Sequence, residues 1–366
     1  MKEFYRFYFI CTPEISVLKY HQRHLVTQQP TIRFAAIGLN HSHIYGQVDL
    51  LLRAGAELVS FYSPEPELAV PFARSYPGAR QVSDPRQILE DPVVQLVISA
   101  GIPCERAPLG IEVMKHGKDY MSDKPGFTTL AQLELAKCVQ AETGRIYSIC
   151  FSERLETPSS IKAGELIQAG AIGQVVQTVG LGPHRINIPS RPDWFFRKSQ
   201  YGGILVDIAS HQVDQFLFFT DSTQAEVVSS QVGNIKFPQF SELEDFGDMV
   251  LRSEKATGYI RVDWFTPDGL PVWGDGRLTI LGTEGYIELR KYIDLEGRKG
   301  SDHLFLVNQS GVQYINCQGG HLPYGRQLVA DILNRTDTAI PQAHVFLVSE
   351  LALKAEAQAT RLGYLI

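Results

Sequence analysis

Ile32-Arg-Phe-Ala-Ala-Ile-Gly38-Leu39-Asn40-His41-Ser42-His43 runs from an apolar strand through a short turn into the start of a helix. After Arg33 the strand shows no polar alternation, the pattern of a strand covered by helices on both faces. Outward from it the same unit recurs. Apolar strands are expected over 57–62, 95–100, 119–122 and 145–150, with helices over 43–54, 67–76, 106–116 and 130–143. Repeated strand–helix–strand order at this length specifies a doubly wound parallel sheet of the nucleotide-binding kind.

The turn carries the first evidence of a ligand. In a dinucleotide-binding turn, glycines let the backbone approach the pyrophosphate and let the helix pack closely on the strand. Gly38 fills the first glycine position, while Asn40 and His43 stand at the second and third. Asn tolerates left-handed backbone, so the second change is mild. His43 would either obstruct close packing or face a phosphate itself. Gly38, Asn40, His41, Ser42 and His43 therefore form the candidate phosphate site. Two histidines at a helix start fit capping or phosphate contact, and no third ligand lies nearby in sequence, so no metal is expected. The ribose-reading position at the end of the second strand is Ser63 rather than an acid, which relaxes selection against a 2′-phosphate. Glu65 and Glu67 would repel one, and the first base is Arg74. NAD and NADP both stay open, with a lean to NAD.

Beyond residue 150 the pattern changes. A helix over 159–169 leads to an apolar stretch at 175–181. Period-two strands come next at 225–232, 247–252, 257–263, 276–281, 286–290 and 303–307, separated by Pro267-Asp-Gly269, Gly274-Asp-Gly276 and Gly282-Thr-Glu-Gly285. A last amphipathic helix is expected over 346–362. The fold class is α/β: an N-terminal Rossmann doubly wound parallel sheet plus a C-terminal α+β domain with an open, mostly antiparallel sheet. The expected division is an N-terminal extension (1–30), a dinucleotide-binding domain (31–150) and a substrate-binding and oligomerisation domain (151–366). The chain's 366 residues exceed what one core usually supports.

Composition narrows the partners. Apolar content of 44%, charged content of 20% and a net charge of −6 describe a globular protein with no pull toward nucleic acid or membrane. Five scattered cysteines without a CxxC pair read as reduced thiols in a cytoplasm. In the extension, Phe7-Tyr-Phe-Ile-Cys11 is too short for a signal-peptide core, and Pro13, Glu14, Lys19 and Arg23 break up the residues after it.

Two segments carry the chemistry. Asp123-Lys124-Pro125 ends an apolar strand, at the sheet edge where ligand crevices form. In Tyr201-Gly-Gly-Ile-Leu-Val-Asp207-Ile-Ala-Ser-His211-Gln-Val-Asp214, helical spacing would set Asp207 and His211 one turn apart on one face. Amine, imidazole and carboxylate form a proton-transfer set for an alcohol. Asp214 reads as a structural brace for His211 or its helix. Upstream, His184, Arg185 and Trp194 are the substrate candidates, since an indole stacks on sugar faces and a guanidinium grips hydroxyls; the alternative places Trp194, Phe195 and Phe196 in the core. A His184/Asp207/His211 metal site is chemically feasible, but the lysine argues against it. Lys291, His303 and His321 have no such context and are assigned to surface or loop.

Taken in order, Asp123-Lys124-Pro125, Gly202-Gly203…Asp207-x-x-x-His211-x-x-Asp214 and Leu281-Gly-Thr-Glu-Gly285 resemble the marks of the glucose–fructose oxidoreductase, inositol dehydrogenase and MocA family, over residues 31–366. The resemblance implies hydride transfer between NAD or NADP and a hydroxyl or keto carbon of a sugar, cyclitol or similar small molecule. It implies that Lys124 bonds the reacting oxygen and helps hold the nicotinamide, that His211 is the general acid/base, and that Asp207 orients substrate or tunes His211. It adds Ala100, Gly101, Asp123, Pro125 and Arg154 to the cofactor contacts, and a homodimer or homotetramer formed through the open sheet. This chain departs from the family in three places. Asp123 replaces Glu, Glu153-Arg154 stands where two arginines are usual, and Gly101-Ile-Pro103-Cys-Glu-Arg106 lacks a Thr-Pro-x-x-His arrangement. Two rival readings share the fold: an enzyme with retained NAD and transient redox acting on a glycoside, and a non-catalytic sensor.

Overall fold

A computed structural model describes residues 31–363; the expected extension over 1–30 lies outside them. The first half alternates β1 (Arg33–Ile37), α1 (His43–Arg53), β2 (Glu57–Tyr62), α2 (Pro66–Ser75), β3 (Arg80–Gln81), α3 (Arg86–Leu89), β4 (Leu96–Ser99), α4 (Pro103–Lys115), β5 (Asp119–Asp123), α5 (Leu130–Thr143) and β6 (Tyr147–Cys150). These strands form a six-stranded parallel sheet in the order β3-β2-β1-β4-β5-β6. The order reverses between β1 and β4, so a crevice opens at the carboxyl ends of those strands. β4 and β6 are buried throughout, which is why their sequences carry no alternation.

The chain continues through α6 (Ser152–Leu155), α7 (Pro158–Gln168) and β7 (Val175–Pro183). Then come α8 (Lys198–Tyr201), α9 (Ile204–Asp207) and α10 (Ser210–Phe219). The second sheet adds β8 (Glu226–Gly233), β9 (Phe246–Arg252), β10 (Thr257–Asp263), β11 (Arg277–Gly282), β12 (Gly285–Arg290), β13 (His303–Asn308) and β14 (Gly311–Asn316). The described chain closes with α11 (Tyr324–Asn334), α12 (Gln342–Gln358) and β15 (Thr360–Arg361). The nine strands run β14-β13-β12-β11-β7-β10-β9-β8-β15. Only β7 with β10 and β8 with β15 pair in parallel. One face of this sheet buries Ile280, Ile287, Leu304 and Leu306 in a core that includes Ala163 of α7.

Differences from the sequence expectations have local causes. α4 begins at Pro103, three residues before the expected start, with proline at its first helical position, where the missing N–H costs nothing. α12 lies four residues earlier than expected; the chain leaves it after Gln358 so that Thr360 and Arg361 can pair with β8. β14 shows no alternation of burial, and so no period for the sequence to reveal.

Candidate active site

The turn after β1 fits a dinucleotide phosphate. Gly38 has φ of +82°, and a Cβ there would stand 2.9 Å from Gly101 Cα, so the two loops meet backbone to backbone. The His41 N–H donates to the Ala100 carbonyl (2.8 Å), which joins the same two loops. The N–H groups of Asn40 and Ser42 have no partner among the described residues, and α1 starts directly behind them. A helix start with free N–H groups is an anion site. Ser63 does not face the crevice alone. Its hydroxyl donates to Glu65 (2.7 Å), and the Asn40 amide holds the other Glu65 oxygen (3.2 Å).

His43, at the third glycine position, reaches across the turn to β5 and bonds the Asp123 carboxylate through Nδ1 (3.0 Å). Arg106 of α4, 1% exposed, grips the same region. It donates to Gly101 O (2.8 Å), Lys124 O and Pro125 O (3.2 Å), and approaches Asp123 to 3.3 Å. Burial pushes the Asp123 carboxyl up, but His43 and Arg106 outweigh it and hold the group well below the usual carboxylate range. His41, His43 and Asp123 place their donor atoms within 4.8 Å of one another, so β5 supplies the third ligand type that the local sequence lacks. Hydrogen bonds already account for the trio: His43 Nδ1 is used on Asp123, and His41 Nδ1 accepts the His43 N–H (3.2 Å).

Beside this crevice lies a cavity of about 290 Å³. Lys124, Asp207, His211, His184, Arg185, Trp194, His41, Ser42 and His43 all line it, so the structure gathers most of the expected site residues. Lys124 Nζ donates to Asp207 Oδ1 at 3.0 Å. Asp207 and His211 do not share one regular helix, contrary to expectation. α9 ends at Asp207 and α10 starts at Ser210; between them the Ala209 N–H reaches back to Ile204 O, five residues away. Asp207 is thereby free to meet Lys124. His211 is 3% exposed, and its Nδ1 has no protein partner among the described residues. Burial lowers the His211 pKa to about 3, against the pull of Glu153. Burial likewise lowers His184 to about 4. His184 gives its Nδ1 proton to Gly182 O (3.0 Å) and packs on Trp273 and Trp264 at 4.4 and 5.3 Å between centroids.

Several residues stand elsewhere than expected. Arg154 does not line the cavity; it forms a two-pronged pair with Asp214 (2.6 and 2.7 Å) and lies 4.5 Å from the Phe218 ring. Asp214 also takes His344 Nε2 (2.8 Å), so of the two expected roles it braces its own helix, α10, against Arg154 and His344 rather than bracing His211. Lys291 and His303 are buried, not at the surface. Lys291 pairs with Glu153, and His303 bonds Tyr314 and Gly300 O. His321 is exposed, as expected. Arg191, in the stretch expected to overhang the crevice, also lines the cavity, whereas sequence reasoning missed Glu153, Trp264, Trp273 and Tyr292 as parts of its wall. One signal was available: the chain has three tryptophans, and all three line this cavity.

A family model described as an oxidoreductase family with an NAD-binding Rossmann fold matches residues 32–151, and one for the GFO/IDH/MocA C-terminal domain matches residues 161–288. A crystal structure of a protein from Erwinia carotovora atroseptica SCRI1043, provisionally assigned as an oxidoreductase, is 46% identical with a TM-score of 0.88; the match covers 91% of this chain and 100% of that one. The chain belongs to the GFO/IDH/MocA oxidoreductase family. Scyllo-inositol 2-dehydrogenase (NAD(+)) of Bacillus subtilis strain 168 is 25% identical over 277 residues, 74% of this chain and 78% of the relative. Levoglucosan dehydrogenase, solved with NADH and levoglucosan, shares the fold with a TM-score of 0.74 at 20% identity, covering 89% and 97% of the two chains. This GFO/IDH/MocA oxidoreductase therefore has an NAD-binding Rossmann domain, and no described helix is long and apolar enough to cross a membrane.

Proposed function

We propose that this oxidoreductase oxidises a hydroxyl-bearing carbon of a sugar- or cyclitol-like polyol, or reduces the matching ketone, with NAD preferred over NADP. One observation carries the reading. Lys124, paired with Asp207, and a buried neutral His211 face the same cavity at the carboxyl edge of the Rossmann sheet, walled by three tryptophans. The scyllo-inositol and levoglucosan acted on or bound by the relatives are polyhydroxylated and uncharged, which suits those walls.

Nicotinamide, when bound, takes up the hydride from the alcohol carbon. The chain's own residues manage the proton and the oxygen. The Lys124 ammonium donates to the reacting oxygen and stabilises the charge that grows there. Asp207 fixes where that ammonium points. His211, neutral at physiological pH, accepts the hydroxyl proton at a ring nitrogen. His184 presents Nε2 as an acceptor, because Nδ1 is used on Gly182 O.

The NAD preference rests on Glu65. Ser63 and Asn40 hold this carboxylate beside the phosphate turn, where it would accept from ribose hydroxyls and repel a 2′-phosphate. The polypeptide would divide into a dinucleotide-binding part over 31–150 and a part over 151–366 that binds substrate and partner subunits. The scattered thiols, Cys104, Cys138, Cys150 and Cys317 all being free, suit a cytoplasmic setting.

Calorimetric titration of the full chain with NAD and with NADP, followed by reduced-nicotinamide absorbance with a panel of neutral polyols, tests this reading. Tighter binding of NAD and reduction by at least one polyol are expected. Binding of neither cofactor would overturn the reading in favour of a sensor. A cofactor that stays bound and unchanged while a glycoside is cleaved would favour transient redox.

A further inference from the structure

Glu153 sits on α6, directly after the last Rossmann strand, and is 3% exposed. Two donors converge on one of its oxygens. Lys291, 1% exposed, donates to Oε2 at 2.6 Å, and Gln212 donates to the same atom at 2.9 Å. Lys291 also donates to Gln215 Oε1 (3.1 Å). The other oxygen, Oε1, is buried and has no protein partner among the described residues, and Glu153 lines the cavity that holds Lys124 and His211. Burial pushes the carboxyl up, but the Lys291 ammonium outweighs it and keeps the pKa at about 2, so the group is anionic.

The arrangement is built rather than incidental. Gln212 comes directly after His211 on α10, and β7 makes room for it with alternate glycines. A Cβ on Gly180 would stand 2.9 Å from Gln212 Cγ, and one on Gly182 would stand 2.8 Å from Gln212 Nε2. A purely structural ion pair would use both carboxylate oxygens. Here the donors stack on Oε2 and leave Oε1, on a residue of the cavity wall, without a donor among the described residues. An ionised carboxylate oxygen only accepts, and when buried it needs a donor.

The nearby arginines spend most of their donors on the protein itself. Arg185 donates to Pro267 O (2.9 Å) and Leu270 O, and Arg191 donates to Ile186 O (2.7 Å) and stacks 4.4 Å from the Phe195 ring. Both guanidiniums are held by backbone or aromatic groups, although Arg185 Nε, 3.6 Å from Asp268 Oδ1, has no hydrogen-bond partner among the described residues; Glu153 likewise keeps an unused oxygen.

We propose that Glu153 is a substrate-binding residue: Oε1 accepts a hydrogen bond from a second, non-reacting hydroxyl, and its charge turns away substrates that carry a carboxylate or phosphate at that end. This rests on the polyol reading above and deepens it. Lys291 and Gln212 are positioning residues, acting through Glu153. The substrate class is then a neutral polyol with at least two hydroxyls in reach of one cavity.

The test uses the full chain saturated with NADH, in which an alcohol binds without reacting, and calorimetric titration with matched probes. These are D-glucose against D-glucuronate, D-galactose against D-galacturonate, and scyllo-inositol. At least one neutral probe is expected to bind, more tightly than its acid. Glu153→Gln should weaken that neutral probe by about tenfold and narrow its lead over the acid. Glu153→Met/Lys291→Met removes both buried charges, keeps the fold if the single variant does not, and should show the same narrowing. An equal loss for neutral and acidic probes, no change in either variant, or binding of no neutral probe would overturn the proposal. NADH binding and hydride transfer, read separately, would still stand in those cases, so the two failures are distinguishable.

Discussion

Lys124 and Asp207 are 83 residues apart in sequence, yet their 3.0 Å contact is the centre of the site. Lys124→Ala removes the donor to the reacting oxygen and leaves Asp207 unpaired. We expect kcat to fall by about a hundredfold or more with little change in cofactor affinity, measured by steady-state kinetics beside NADH titration. Glu65→Ala should cut the preference for NAD over NADP by about tenfold, read as the ratio of the two dissociation constants. The buried histidines fix a pH dependence. His211 and His184 have folded pKa values of about 3 and about 4, below the unfolded 6.5. The unfolded chain therefore binds more protons between those values, and stability falls as pH drops below about 6.5. Urea unfolding across that range should show the slope, and His184→Asn should flatten it. Lys124, Asp207 and His211 were legible because each sits in a short motif with chemistry attached. Glu153 was visible only as a departure from an arginine pair, because its partner Lys291 arrives from 138 residues away.

The Gly202-Gly203 pair is explained by the element it starts. Both residues have positive φ, +94° and +104°, and a Cβ on Gly203 would stand 2.3 Å from the Glu356 carboxyl carbon. Glu244 and Glu356 accept the Ile204 and Leu205 N–H groups at the start of α9, and Lys198 bridges the two acids at 2.5 Å each. Gly203→Ala should therefore cost about 2 kcal/mol or more of stability, checked by denaturant midpoint. The break after α9 was not legible. Helical spacing sets Asp207 and His211 one turn apart, but the Ser210 hydroxyl donates to the Asp207 carbonyl (3.3 Å), and the backbone ladder shifts at Ile208 and Ala209. A side-chain bond of this kind leaves no periodic trace.

At the scale of the molecule, α12 joins the two sheets. Gln342, at its start, exchanges two hydrogen bonds of 2.9 Å with the Tyr147 backbone and so covers the open edge at β6, while the chain beyond its end pairs with β8. The order of strands and helices made the Rossmann half legible, and period-two alternation revealed most of the second sheet. The second sheet's outer face is set by register: Tyr259, Leu281, Tyr286, Val312 and Tyr314 lie on the side opposite the buried Ile280 and Leu306, and all are exposed. An apolar sheet face of this kind leads us to expect a homodimer or homotetramer. Light scattering should report it, and Tyr286→Glu with Leu281→Glu should shift the assembly toward monomer.

The most direct test of the central claim is the rate of NADH formation when NAD and a panel of neutral polyols, beginning with scyllo-inositol and levoglucosan, are given to the wild-type chain and to Lys124→Ala. The account predicts NADH formation with at least one polyol and a loss of about a hundredfold in the variant, with NAD binding retained. NADH formation that survives the substitution, or none with any polyol, would contradict it.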